Sequence, residues 1–263
     1  MYLFSDRFRF IWLLLLFGRV LFGQLVVESG LSFRFNSPPG SLAQTSIRLY
    51  NASSTPQEYR LEKMDMKSDC DSGYTYLPSD SLPSSNASWV EAERYYGQLL
   101  PGERTSIKVR VSIPHDFSGP SSRSCIMIES APVQEKALPN QLSVRVRYAV
   151  GMLYRNPFER GEVVLKAQRL DLDTSSGVWS LRYLNAGNVD RIVSSRIRIL
   201  DPQGKVVYRC DQTPSKGILP NQCRTFEFFS KRPATAKAGS YRMVVLSETD
   251  EGEKFGLTKQ LDW

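Results

Sequence analysis

Apolar and polar residues alternate with a period of two through much of this chain, and the clearest run is LSVRVRYAVGMLYRNP at 142–157. Leu142, Val144, Val146, Tyr148 and Val150 fall on one face, with Ser143, Arg145 and Arg147 on the other, the pattern of a half-buried strand. The run ends at Tyr154, Arg155 and Pro157, just past the middle of the chain. A proline corner there predicts the passage from one domain into the next.

Similar runs predict strands at 31–35, 45–50, 57–64, 105–113 and 124–128 before this point. After it they recur at 162–172, 178–185, 196–200, 206–210, 241–246 and 255–261. Turn formers separate them: Pro38-Pro39-Gly40, Leu99-Leu100-Pro101-Gly102-Glu103, and Asp201-Pro202-Gln203-Gly204, which joins 196–200 to 206–210 as a hairpin. Ile218-Leu219-Pro220-Asn221 echoes the Leu-Leu-Pro-Gly turn, each ahead of an alternating strand. Residues 68–88, rich in Ser, Asp, Pro and Gly, read as a loop, as do 131–140. With no convincing 3.6-residue period, the pattern predicts an all-β chain of two tandem β-sandwiches.

The first residues change the picture of where the protein works. Arg7 and Arg9 precede the apolar run FIWLLLLF, followed by Gly18 and Gly23. This run is too short for a spanning helix of about 20 residues and reads as a signal peptide over 1–23, an uncleaved membrane anchor being the alternative. The remainder divides into an N-terminal domain, 24–152, and a C-terminal domain, 153–263. Loss of the leader removes three Arg and one Asp, leaving 31 basic and 26 acidic residues, net +5 against +7 for the whole chain. These charges are scattered along strands without a Lys/Arg run, so nothing in the sequence points to nucleic acid.

Four cysteines, Cys70, Cys125, Cys210 and Cys223, lie two in each predicted domain. In an exported chain an even number predicts disulfides. Of the three possible connectivities the domain division favours Cys70 with Cys125 and Cys210 with Cys223. There is no CxxC and only one histidine, His115, so a metal site is not expected. Neither a nucleophile elbow nor a phosphate-cradling glycine loop is present. The sequence therefore predicts no enzyme, no cofactor and no small-molecule substrate.

Four stretches together resemble the two-domain immunoglobulin-like periplasmic chaperones of fimbrial and pilus assembly. They are Gly40 with the strand SIRLYN, the turn 99–103 with its following strand, the segment 124–132, and Leu153-Tyr154-Arg155-Asn156-Pro157. The resemblance implies two immunoglobulin-like sandwiches in an L-shaped arrangement, in the periplasm. It further implies binding of pilin-like or other secreted subunits by strand addition, with an outer-membrane usher as a possible further partner. Leu142, Val144 and Val146 would then be the donor residues, although a place in their own core fits the alternation equally.

The resemblance also implies two basic residues in the interdomain cleft that hold a subunit's terminal carboxylate. Ala149 stands where it calls for a lysine, and Phe35 where it calls for an arginine; Arg34 and Arg147 are the nearest substitutes. Arg155 and Asp250 match the positions of its interdomain hinge. The other reading of the chain is a structural or adhesive surface protein of immunoglobulin-like domains with no chaperone activity.

Overall fold

A computed structural model describes residues 25–71, 73–132, 145–173, 177–229 and 239–262. The predicted leader at 1–23 and the donor positions Leu142 and Val144 lie outside these residues. The described chain is all-β apart from one short 3-10 turn, Ala87–Trp89.

The first ten strands are β1 (Leu25–Val27), β2 (Ser32–Phe35), β3 (Leu42–Asn51), β4 (Gln57–Asp69), β5 (Gly73–Pro78), β6 (Val90–Ala92), β7 (Tyr96–Leu99), β8 (Arg104–Ser112), β9 (Ser121–Pro132) and β10 (Val146–Arg155). They form one sheet in the order β1-β3-β8-β6 and a second in the order β2-β10-β9-β4-β5, with β7 pairing β4. Alternation explains the packing. Ile107, Val109 and Val111 of β8 and Ile126 and Ile128 of β9 are buried between the sheets, where they meet Val150, Met152 and Tyr154 of β10. Tyr154 lies edge-on to Trp89 and Phe117, ring centroids 5.5 Å away, fixing the end of β10 in the core.

The remaining strands are β11 (Leu165–Asp173), β12 (Val178–Asn185), β13 (Arg191–Leu200), β14 (Val206–Cys210), β15 (Lys216–Ile218), β16 (Gln222–Phe229), β17 (Ser240–Thr249) and β18 (Lys254–Asp262). One sheet runs β11-β12-β16 and the other β14-β13-β17-β18, with β15 on β13. Their inner faces bury Trp179, Leu181, Ile197, Phe226 and Val245. All described pairings within this sandwich are antiparallel. No described sheet runs from one sandwich into the other.

Two expectations are overturned. Part of the predicted loop at 68–88 is strand: β4 continues to Asp69, and β5 returns against it with Met66 opposite Tyr76. Its Tyr74 reaches the other sandwich, a source of burial that local composition does not carry. The disulfides differ as well. Cys70, at the tip of the β4–β5 hairpin, bonds Cys223 of β16 across the domains, 153 residues away, with Cα atoms 4.8 Å apart.

Cys125 and Cys210 are free. Cys125 lies opposite Met64, six residues before Cys70 on β4, which is about 20 Å of strand, far beyond disulfide reach. Cys210 is opposite Ile197 in one sheet, whereas Cys223 is opposite Leu184 in the other. Burial pushes the Cys125 thiol up to about 12, so it is protonated and inert.

This pairing fixes the outcome of thiol counting. Unfolding without reductant should expose two alkylatable thiols and reduction should expose four, with the nonreduced peptide map linking the Cys70 and Cys223 peptides. A map joining Cys70 to Cys125 would overturn the assignment.

Candidate functional site

Strand β10 has two neighbours of unequal length. On one side β9 pairs with it from Val146 to Arg155. On the other, β2 runs parallel to it only from Gly151 to Tyr154, and the Gly151 N–H donates to the Leu31 carbonyl at 2.9 Å. Main-chain groups of successive strand residues point to opposite edges, so Gly151 sets the phase. The N–H and C=O of Arg147 and Ala149 therefore face the β2 side, ahead of the point where β2 begins. Among the described residues no strand occupies that stretch of edge.

The side chains follow the same alternation. Val150 is fully buried, Tyr148 packs partly against the core, and Val146 is half-buried at the open end. On the opposite face Ala149 and Leu153 belong to an apolar cluster with Met64, Met66, Tyr74, Tyr76 and Cys125. Leu219 of the C-terminal sandwich completes this cluster. Ala149 thus lies on apolar ground at the domain junction.

The two arginines considered as carboxylate anchors already have acidic partners. Arg147 is exposed and pairs with Glu129 at 3.4 Å, and Arg145 pairs with the same carboxylate at 3.2 Å. Arg34, on β2, crosses to the other domain, where it donates to Asp250 at 2.5 Å and Asp190 at 3.3 Å. Burial lowers the Arg34 pKa, but its hydrogen bond to Asp250 and the charges of Asp190, Asp250 and Glu251 outweigh this and raise it.

Arg155 joins this network without touching Asp250 in an ion pair. It pairs with Glu251, donates to the Asp190 carbonyl at 3.1 Å and lies 3.9 Å from the Asp190 carboxylate. Arg191, 4% exposed at its side chain, pairs with Glu251 at 3.0 Å and Glu253 at 2.8 Å. Asp250 also caps the Ile192 N–H at 2.9 Å, so the Arg34 pair is anchored to β13 as well. The sequence singled out Arg155, Arg34 and Asp250; it missed Glu253, and Asp190 and Arg191 came with no signal. The acidic cluster at 248–253 could have drawn attention to Glu253.

A second set of contacts joins the domains at the β4–β5 hairpin. Besides the disulfide, the Thr225 N–H donates to the Cys70 carbonyl at 3.0 Å, and the Ser68 hydroxyl to the Cys223 carbonyl at 2.7 Å. Asp71 pairs with Arg182. The Tyr74 ring stacks under the Arg224 guanidinium at 4.5 Å, and its hydroxyl donates to the Gly217 carbonyl at 3.2 Å. A Cβ at residue 217 would stand 2.6 Å from that hydroxyl, so glycine is what lets the tyrosine approach.

The lone histidine takes no part in this region. His115 packs against Gly40, where a Cβ would meet its ring at 2.8 Å and where φ is +81°.

No protein-family model and no curated protein matches the chain. Among solved structures it is similar to the class 5 fimbriae chaperone CfaA, at 15% identity over 90% of this chain and 98% of that one, with a TM-score of 0.46. It is likewise similar to a chain of the CsuC–CsuE chaperone and tip adhesion subunit pre-assembly complex from the archaic Csu pili of Acinetobacter baumannii. That match has 10% identity over 89% and 97% of the two chains and a TM-score of 0.49. The E. coli chaperone DraB gives 13% identity over 92% and 98%, with a TM-score of 0.44.

Two expectations follow from the ion network. Burial alone would raise the pKa of Glu253, but hydrogen bonds from Arg191 and Thr249 outweigh it and hold it at about 2, below the ordinary 4.5. A depressed carboxylate stabilises the fold above its unfolded pKa, and this contribution is lost as pH falls from about 4.5 toward 2. Thermal melts should therefore drop over that window, with a shallower drop in Glu253→Gln; parallel curves would refute the assignment. Asp190→Ala removes the carboxylate shared by Arg34 and Arg155, and should change the small-angle scattering profile while circular dichroism stays the same. An unchanged profile would show that the Asp190 carboxylate does not set the domain arrangement.

Proposed function

We propose that this chain is an exported, non-enzymatic chaperone-like protein that binds incomplete sandwich subunits by lending them the open edge of β10. The observation carrying this reading is the unequal pairing of β10, which leaves the main-chain groups of Arg147 and Ala149 outward while β9 holds the strand from behind. A subunit lacking a strand has the complementary need. Main-chain bonds would supply affinity, and the alternating side chains Leu142, Val144 and Val146 would fill its groove and set register.

The start of β2 limits how a strand can add. It occupies the same lane from Ser32 onward, so an incoming strand parallel to β10 would end beside Leu31, at the domain junction. Its terminal carboxylate would meet Ala149 and Leu153 on one face, and Arg34 already engaged by Asp190 and Asp250. Binding in this chain therefore rests on backbone pairing and apolar burial, with the arginines setting domain geometry. We assign Arg155 and Asp250 to that geometry. The periplasm is the compartment that suits a predicted leader and a disulfide, and secreted pilin-like subunits, with an outer-membrane usher, are the partners in view.

Ala149→Pro tests the edge with little cost to the fold. Proline is tolerated on an edge strand where its missing N–H faces outward, and here that N–H would serve only an added strand. Co-expression with subunits encoded beside the gene, followed by pull-down, should show at least a tenfold loss of capture for Ala149→Pro and for Val144→Glu with Val146→Glu. The melting temperature of Ala149→Pro should stay close to wild type. Capture undiminished in both variants would refute strand addition and favour the structural or adhesive reading.

A further inference from the structure

Strand pairing in the C-terminal sandwich gathers arginines that are dispersed in sequence. On the outer face of the β14-β13-β17-β18 sheet, Arg198 lies directly opposite Arg209 on one side and Val244 on the other. Arg196 lies opposite Leu246, and Leu200 opposite Arg242. Arg242 is thus a diagonal neighbour of Arg198, about 7–8 Å away between Cα atoms. All four arginines are exposed.

The acids on this face stand at its margins. Glu248 pairs with Arg196 at 3.2 Å, Asp211 pairs with Arg209 at 2.5 Å, and Asp262 lies at the far corner, opposite Ser240. Arg198 and Arg242, in the middle, have no ion-pair partner among the described residues. Like charges directly opposite on neighbouring strands cost stability, so the Arg198–Arg209 pair is unfavourable for the fold alone.

The composition of the face narrows its use. A surface charged only for solubility is served as well by lysine, yet this cluster is arginine, whose planar fork binds carboxylates through two hydrogen bonds. Exposed Leu246 and half-buried Val244 and Leu200 lie between the forks. Arginine is enriched, and lysine depleted, at protein interfaces relative to the rest of the surface. Among the described residues the face presents no aromatic side chain for stacking on bases or entering a bilayer.

We propose that this face is a docking surface for an acidic segment of a partner protein, with Arg198 and Arg242 as its central carboxylate-binding residues. It lies on the sandwich that does not carry β10, so it is independent of the strand edge.

Fluorescently labelled poly-L-glutamate provides a probe, titrated at low salt into the intact oxidised protein. Arg198→Glu with Arg242→Glu should weaken binding at least tenfold. A matched reversal on the outer face of the N-terminal sandwich, Lys108→Glu with Arg110→Glu, should change it less than twofold. Arg198→Lys with Arg242→Lys keeps the charge and loses the forks, and should weaken binding by about threefold or more. Equal losses from the two reversals would reduce the effect to net charge and overturn the proposal. Vesicles containing phosphatidylglycerol form the last arm: Arg198-dependent vesicle binding without polyglutamate binding would assign the face to a membrane surface and also overturn it.

Discussion

The main-chain ladder between β9 and β10, from Val146 to Arg155, ties together three properties that would otherwise need separate causes. Because side chains alternate along it, the same strand sends Val150, Met152 and Tyr154 into the sandwich core and Ala149 and Leu153 onto the junction with the second sandwich. Because main-chain groups alternate too, it presents Arg147 and Ala149 at the edge that β2 leaves open. Its last residue, Arg155, reaches the acids of the second domain. A one-residue slip of this ladder would reverse every one of these assignments, so the register is held by core and junction together.

The junction combines interactions of different physical kinds. Ion pairs in partly exposed positions contribute little individually, about 0–1 kcal/mol each, and weaken with salt. Their value here lies in direction: Asp190 and Asp250 receive Arg34 from β2, while Asp190 and Glu251 receive Arg155 from β10. The hairpin adds a covalent bond and apolar packing, which salt does not screen, beside the Asp71–Arg182 pair, which it does. Closing a loop of this size is worth up to about 5 kcal/mol in the chain-entropy account of disulfides. Orientation and strength are thus supplied by separate parts of the same junction.

Much of the architecture was legible from the two-residue period. The strands at 57–64, 178–185, 196–200 and 241–246 fall within observed strands, and that at 105–113 overruns β8 by one residue, because inner and outer faces of a sandwich write their difference directly into alternation. Residues 73–78 escaped this reading because Tyr74 and Tyr76 are half-buried in a cluster completed by Leu219 of the other domain, and no local pattern records a distant partner. The cysteine pairing failed for a related reason: counting two per domain assumes that each domain closes on itself. At the candidate site, β10 was visible as a strand, but its open edge depends on where β2 stops. The arginine face was also hidden, since Arg198, Arg209 and Arg242 become neighbours only through register.

The Cys70–Cys223 bond has a consequence for the order of events in biosynthesis. A chain delivered from its N-terminus brings out Cys70 and Cys125 well before Cys223, so the first sandwich must wait with two thiols and no correct partner for either. Cys125 lies within the β9 ladder, where sheet formation itself removes it from exchange, leaving Cys70 exposed on its hairpin tip. The second sandwich must then fold far enough to present β16 before the bond can close. Oxidation therefore records that both halves have been made and have met, so a nonreducing gel band can serve as a measure of completed assembly.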